Sequence, residues 1–380
     1  MSHNLSSLEH IGALVILGPT PTDSEASIEE THGLWRARVL VVRAVISAIG
    51  IIVAQLSNFA HPYIPRILSA TLILEGISSE YPESTMLREE VDRCLSTIAL
   101  KIPTRLSVPL LLQSAPTLLG AGHSAACRFA DLMAEVWQQL DRATVVAHLG
   151  PLSTLATLLL DYRRVFGDQS EAAAEVDTAS ADAVVELCLK LTESELKSFL
   201  TRLAEWRDVK FKPKKDANGE PLSEDADWRK YARAVSYFSL TDVLMGKLKS
   251  LFIPIMGTLW GSAIDLLTAF AAVAAKSAKS SHNNNADADG KKKRKQQEVE
   301  ESSVVLSPVV IEMELLGRYI LSSVRECCVQ DTNGEFVDEV RIFLLSILLS
   351  FCIPTLNIIY LHHFLTFPSF SPFNSPALRR

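Results

Sequence analysis

Lys291, Lys292, Lys293, Arg294 and Lys295 form an unbroken cationic run that could hold phosphates. Five such contacts would give a salt-dependent grip on nucleic acid. Acidic residues crowd the run, however: Asp287 and Asp289 before it, Glu298, Glu300 and Glu301 after it. No aromatic residue is interleaved to stack on bases. Dense lysine in polar surroundings fits a nuclear address better than an RNA contact or a plain solvated loop.

Other candidate chemistry is thinner. Gly120-Ala-Gly122-His-Ser-Ala125 matches a loose dinucleotide-loop pattern, which needs a strand before it. An apolar proline-bearing segment precedes it here, so Gly120 and Gly122 read as a turn between helices, with Ser124 as N-cap. His362 and His363 are adjacent and cannot share a helix face as a metal pair would. Glu29–Glu30 and Glu89–Glu90 read as solvated helix faces rather than acid–base dyads. The six cysteines include no C-x-x-C pair, which argues for a reducing compartment and against zinc. No nucleophile elbow, zincin or P-loop pattern occurs. These features predict a non-enzyme with no cofactor and no metal.

The elements that would carry these residues are helices. Ala126, Phe129, Ala130, Met133, Trp137 and Leu140 share one stripe of period 3.6, as do Leu196, Phe199, Leu200 and Leu203. Thr192 and Glu195 have capping-box spacing. Trp137, Trp206 and Trp260 sit on apolar stripes and read as core. Alternating, strand-like patterns are scarce, and ALVILG near the start is the main one.

The helices recur as pairs. Apolar segments with an embedded proline align on Pro65, Pro109 and Pro151, at steps of 44 and 42 residues, and Pro254 marks a fourth copy. Each of the first three follows another helical segment. Two helices in roughly 40–47 residues is the HEAT or armadillo period. Such pairs bury their apolar faces only by stacking, which accounts for a hydrophobic fraction of 48%. The predicted fold is all-α, a superhelical solenoid of antiparallel helix pairs. With 37 basic and 44 acidic side chains the net charge is −7, so any nucleic-acid contact would be local.

The region from Leu191 carries a more specific pattern. Phe199, Leu203 and Trp206 end an acidic-capped helix; Arg229 and Phe238 lie on the next; Leu248, Phe252 and Pro254 form an L-K-x-L-F-x-P turn. Together with the lysine-rich insertion, this resembles the C-terminal region of the large HEAT-repeat protein of the small-subunit processome, the family associated with the U-three small nucleolar RNA. The likeness is specific over 191–330 and architectural before that. It implies a non-catalytic nucleolar scaffold acting in pre-rRNA transcription and small-subunit rRNA processing. Its partners would be processome proteins and pre-ribosomal ribonucleoprotein. Family members are much longer, so the chain reads as a C-terminal piece or a short gene model. A HEAT-type transport or adaptor protein outside the nucleolus is the second reading.

The expected organisation is a poorly defined segment 1–33, HEAT-like repeats 34–190, the family domain 191–277 with a charged loop 210–227, a disordered linker 278–303, closing helices 304–341 and an atypical tail 342–380. Ile342–Leu361 is long enough to span a bilayer, which leaves a tail-anchored protein as a third reading. Pro354 and Asn357 weigh against it.

Overall fold

The structure, a computed structural model, describes residues 25–74, 82–209, 228–286 and 308–331, with 334 and 336. The basic run, the loop 210–227, the ALVILG segment and the tail from 342 lie outside them. Among the described residues every regular element is a helix. The chain divides into two compact units, residues 1–243 and 244–380.

In the first unit, α1 (Glu25–Gln55), α4 (Pro82–Lys101), α6 (His123–Gln139) and α10 (Glu171–Cys188) form one layer in which each helix packs on the next. Against it lies a second layer, α3 (Ile64–Ile73), α5 (Thr104–Leu119) and α8 (Leu149–Leu160). The short helices α2 (Ser57–Ala60), α7 (Arg142–Ala147) and α9 (Tyr162–Val165) fill connections, and α11 (Glu193–Arg207) and α12 (Arg229–Leu248) follow. This two-layer stack of antiparallel helix pairs is the HEAT/armadillo-type arrangement.

The aligned prolines fall as the repeat predicts. Pro65, Pro109 and Pro151 lie on α3, α5 and α8, the three helices of the second layer. Pro65 sits in a first turn, where the missing N–H costs nothing. Pro109 and Pro116 stand inside α5 and are exposed, so the carbonyls they orphan can take water instead.

Neighbours within the first layer interlock because large and small residues face each other. Phe129, Met133 and Trp137 of α6 are fully buried, as are Ala126 and Ala130 on the same stripe. The facing helix α10 is rich in alanine, with Ala173, Val176, Ala181 and Val184 buried. Each large side chain so buried contributes about 1.5–3 kcal/mol. Helix starts are satisfied locally: Asp141 accepts from Thr144 N at 3.0 Å and Ser170 Oγ from Ala173 N at 3.2 Å. At α11 the capping box is complete, with Thr192 N donating to Glu195 at 2.8 Å and Glu195 N to Thr192 Oγ1 at 3.3 Å. The turn at Gly120–Gly122 departs in detail from the sequence reading. Helix α6 begins at His123 behind Gly122, whose φ of +131° favours glycine, so Ser124 lies inside the first turn and is not the cap.

In the second unit, a 3₁₀ turn (Lys249–Phe252) leads into α13 (Ile253–Ala286), which packs on α14 (Pro308–Gln330). Trp260 meets Phe336 edge to face at 5.6 Å between centroids, and Cys327 Sγ approaches Met245 Sδ at 3.2 Å.

Candidate functional site

The described chemistry of the first unit concentrates where α9, α11 and α12 meet the ends of α8 and α10. Its members are arginines set on aromatic faces and carboxylates. Asp161 occupies the junction between α8 and α9. Arg233 of α12 reaches it with a two-pronged bond, Nε to Oδ1 and Nη2 to Oδ2, both 2.8 Å. Its third nitrogen, Nη1, donates to the Trp206 carbonyl at 2.9 Å, in the last turn of α11. The same guanidinium lies 4.8 Å from the Trp206 ring centroid. One planar cation thus closes a helix end, stacks on an indole and pairs a carboxylate, a combination that lysine cannot reproduce.

Two further arginines repeat the theme. Arg207, the last residue of α11, lies 4.9 Å from the Tyr237 ring and 5.8 Å from Phe238, and grips Asp208 through Nε at 2.7 Å and Nη2 at 3.0 Å. Burial pushes the Tyr237 phenol up to about 12. Arg163 donates to Asp177 at 2.8 Å with both side chains 3% exposed, and faces Trp228 at 5.9 Å. Arg229 covers the same indole at 5.1 Å. Arg164 is held below the usual guanidinium range, first by burial and then by the charge of Arg233.

The nearest approach to acid–base geometry is elsewhere. Tyr162 Oη and His123 Nδ1 are 2.7 Å apart, and His123 Nε2 is 3.6 Å from Asp168 Oδ2. Burial, then the Asp168 charge, pushes the phenol up to about 12. The chain ties the α5–α6 turn to the loop before α10. The described residues hold no cluster of metal-ligating type.

The residues singled out from the sequence scatter in depth. Phe199, Leu203, Phe238 and Phe252 are buried. Trp206 and Arg229 are half-buried inside the arginine lattice rather than in the apolar core. Trp137 and Trp260 are core residues. Leu248 is partly exposed and Pro254 exposed, at the turn that opens α13. Lys291 to Lys295 fall outside the described residues. Arg233, Asp161, Arg163 and Asp177 were not apparent in the sequence. Their only local signal is a charge set beside apolar runs, as in LATLLLD, and nothing local names the partner.

Comparison with known proteins places this geometry in context. The family model of the BP28CT (NUC211) domain matches residues 144–336. The match starts inside the repeats, upstream of Leu191, and takes in the whole arginine lattice. An Arabidopsis thaliana protein is 23% identical over 79% of this chain and 12% of its own length. The HEAT repeat-containing protein 1 of Homo sapiens is 21% identical over 60% of this chain and 10% of its own length. The U3 small nucleolar RNA-associated protein 10 of Pyricularia oryzae is 25% identical over 48% and 11%. The chain therefore spans about a tenth of the length of these relatives. No solved structure matches.

Proposed function

Because the chain belongs to the BP28CT (NUC211) domain family, we propose that it is a non-catalytic scaffold of ribosome assembly, acting in the nucleolus within the small-subunit processome. The observation that carries this reading is the family match across 144–336, a region in which described helix pairs are locked by arginine–aromatic contacts. Among its relatives one is named for association with the U3 small nucleolar RNA and another for its HEAT repeats.

The mechanism is area and rigidity. Stacked helix pairs hold many side chains in fixed register over a long surface, so several processome proteins can be kept together without any covalent step. Arg233 and Arg163 fix the order of the helices by charge pairing that only one register satisfies. The basic run Lys291–Lys295 serves as the nuclear address, and direct RNA contact is secondary.

The test is a tagged full chain recovered from native nuclear extract, with bound RNA sequenced and bound proteins identified. Enrichment of the U3 small nucleolar RNA, the rRNA precursor and processome proteins is the expected result. Recovery of transport factors without those RNAs would replace the scaffold reading with that of a carrier or adaptor.

A further inference from the structure

The turn after α12 holds a residue that the fold alone does not call for. Lys249 follows the last residue of α12 with a φ of +52°, and among the described residues it is the one non-glycine with a positive φ. A left-handed residue in this place ends many helices, and it is usually glycine, which adopts the conformation without a Cβ clash. Here a lysine adopts it. Strain of this kind survives where packing imposes it, and it gathers at sites of contact with ligands.

Packing holds the turn from beneath. Phe252 is fully buried, and the 3₁₀ turn packs against α14. The neighbouring Leu251 instead shows 75% of its surface. Lys247, Lys249, Ser250 and Pro254 around it are exposed as well. A single exposed leucine is ordinary. This one stands on an anchored, strained base between two lysines. Lys247 has a local reason for its type, since a cation in the last turn of α12 meets the negative end of the helix. Helix termination explains the left-handed backbone at 249 but not the lysine side chain.

Charge identifies the counterpart. From 243 to 264 the sequence carries Lys247 and Lys249 and no carboxylate. Neither lysine has an ion-pair partner among the described residues. An aliphatic tip with two free cations at its base fits a concave apolar pocket with carboxylates on its rim. Nucleic acid would use the lysines and leave the leucine in water. A bilayer would gain one aliphatic side chain from a turn that is otherwise polar.

We propose that the turn 247–251 is a docking prong for a partner protein. Leu251 enters an aliphatic pocket on that partner, and Lys247 and Lys249 pair with carboxylates at the pocket's rim. Lys249 stands where glycine would fold more easily because its ammonium is used in the contact. The inference rests on the scaffold reading, to which it adds a point of attachment.

The probe is a diazirine-bearing residue in place of Ser250, irradiated in whole nuclear extract to which the tagged full chain has been added. Crosslinked residues are mapped by mass spectrometry, and the mapped domain is then expressed and titrated into the full chain. The expected result is a protein segment in which aliphatic residues lie beside Asp or Glu. Binding should weaken about tenfold or more for Leu251→Ser, with an unchanged melting curve. Lys249→Gly is the deciding variant. It should melt higher, because the strain is relieved, and yet bind more weakly and with a shallower salt dependence. A turn that serves the fold alone would melt higher and bind as before, and that result overturns the proposal. So does the lack of any crosslink, a crosslink to RNA or to a second copy, or a mapped pocket without carboxylates. Co-flotation with phosphatidylserine vesicles that Leu251→Ser abolishes would make the occupant a bilayer and also overturn it. The RNA recovered with the same tagged chain is read separately. Enriched U3 small nucleolar RNA with binding indifferent to Leu251→Ser removes the prong and keeps the scaffold. A variant-sensitive pocket without that RNA keeps the prong and removes the processome.

Discussion

Arg233 and Asp161 meet through two parallel hydrogen bonds of 2.8 Å across 72 residues of sequence. The pair joins α12 to the end of α8, with the Trp206 ring stacked on the guanidinium at 4.8 Å. At 15% and 17% side-chain exposure it is too sheltered to be screened as a surface pair is. Arg233→Ala leaves Asp161 without its cation and removes the side-chain donor to the Trp206 carbonyl, and should cost about 2–4 kcal/mol. Arg233→Lys restores charge but neither the fork nor the stacking, and should recover less than half of the loss. Urea denaturation followed at the Trp206 fluorescence measures both. Equal stability of Arg233→Ala and the parent would mean that the lattice is ornament.

The Arg163–Asp177 pair makes a contrasting case. Both side chains are 3% exposed, so the desolvation that each paid is large. Asp177→Ala strands a buried guanidinium and should destabilise by about 3–5 kcal/mol. Replacing both partners, as Arg163→Met with Asp177→Leu, removes the desolvation term along with the attraction and should come within about 1 kcal/mol of the parent. The double variant is the informative one. If it is as unstable as Asp177→Ala, the pair does more than cancel its own burial, and its other contacts must carry the difference.

What the sequence made legible here was whatever repeats or is local. The stripes of α6 and α11, the proline positions on α3, α5 and α8, and the Thr192–Glu195 box depend on residues within one or two turns, and all are present. Ser124 was misplaced by two positions because glycine at 122, with a positive φ, caps the helix without a side chain. Trp206 was read as core because it continues an apolar stripe; in fact the arginine 27 residues on takes its open face. The lattice itself was illegible for the same reason. A charge on a helix shows that it needs a partner, but the partner is chosen by how helices stack, and that is decided far along the chain.

Gly167 is set by contact rather than by an unusual φ. A Cβ there would stand 2.7 Å from the Arg163 Cα and 3.0 Å from its carbonyl oxygen. Neither atom belongs to a movable side chain. Gly167→Ala must therefore shift the backbone of α9, which also carries Tyr162 and Arg163, at a cost of about 1–3 kcal/mol. Thermal unfolding should fall accordingly, and amide exchange should quicken first in residues 161–167. A neutral effect would mean that α9 has slack the packing does not suggest.

Acid should loosen the helix starts in a definite order of cause. Hydrogen bonds from Thr144 hold Asp141 below the usual carboxylate range, those from Ser170 do the same for Asp168, and those from Thr192 for Glu195. A carboxylate depressed on folding adds stability above its unfolded value, near 4, and that stability is lost as pH falls through the folded value. Stability should thus be flat from pH 7 to about 5 with respect to these groups, then decline. Thr192→Ala removes a cap worth about 1 kcal/mol at neutral pH. It should also flatten part of the acid decline, because Glu195 loses the partner that depressed it. A Thr192→Ala chain with an unaltered acid limb would remove Glu195 from the account.

The basic run separates two ideas that a single localisation experiment would confuse. Substituting Lys291, Lys292, Lys293, Arg294 and Lys295 by glutamine removes five positive charges at once. If the run is an address, the full chain should lose nuclear accumulation. Attaching an unrelated nuclear signal should then restore both accumulation and recovery of ribosomal RNA precursors. If instead the run holds RNA, the rescued chain should reach the nucleus and still fail to recover RNA. Its residual binding would also show a shallower salt dependence, by about 0.7–0.9 for each phosphate no longer neutralised. The acidic residues on both sides favour the first outcome, since a strand drawn to the lysines would meet Asp287, Asp289, Glu298, Glu300 and Glu301 at the same place. Unchanged accumulation of the glutamine variant would move the address elsewhere in the chain and leave the run as a solvated segment.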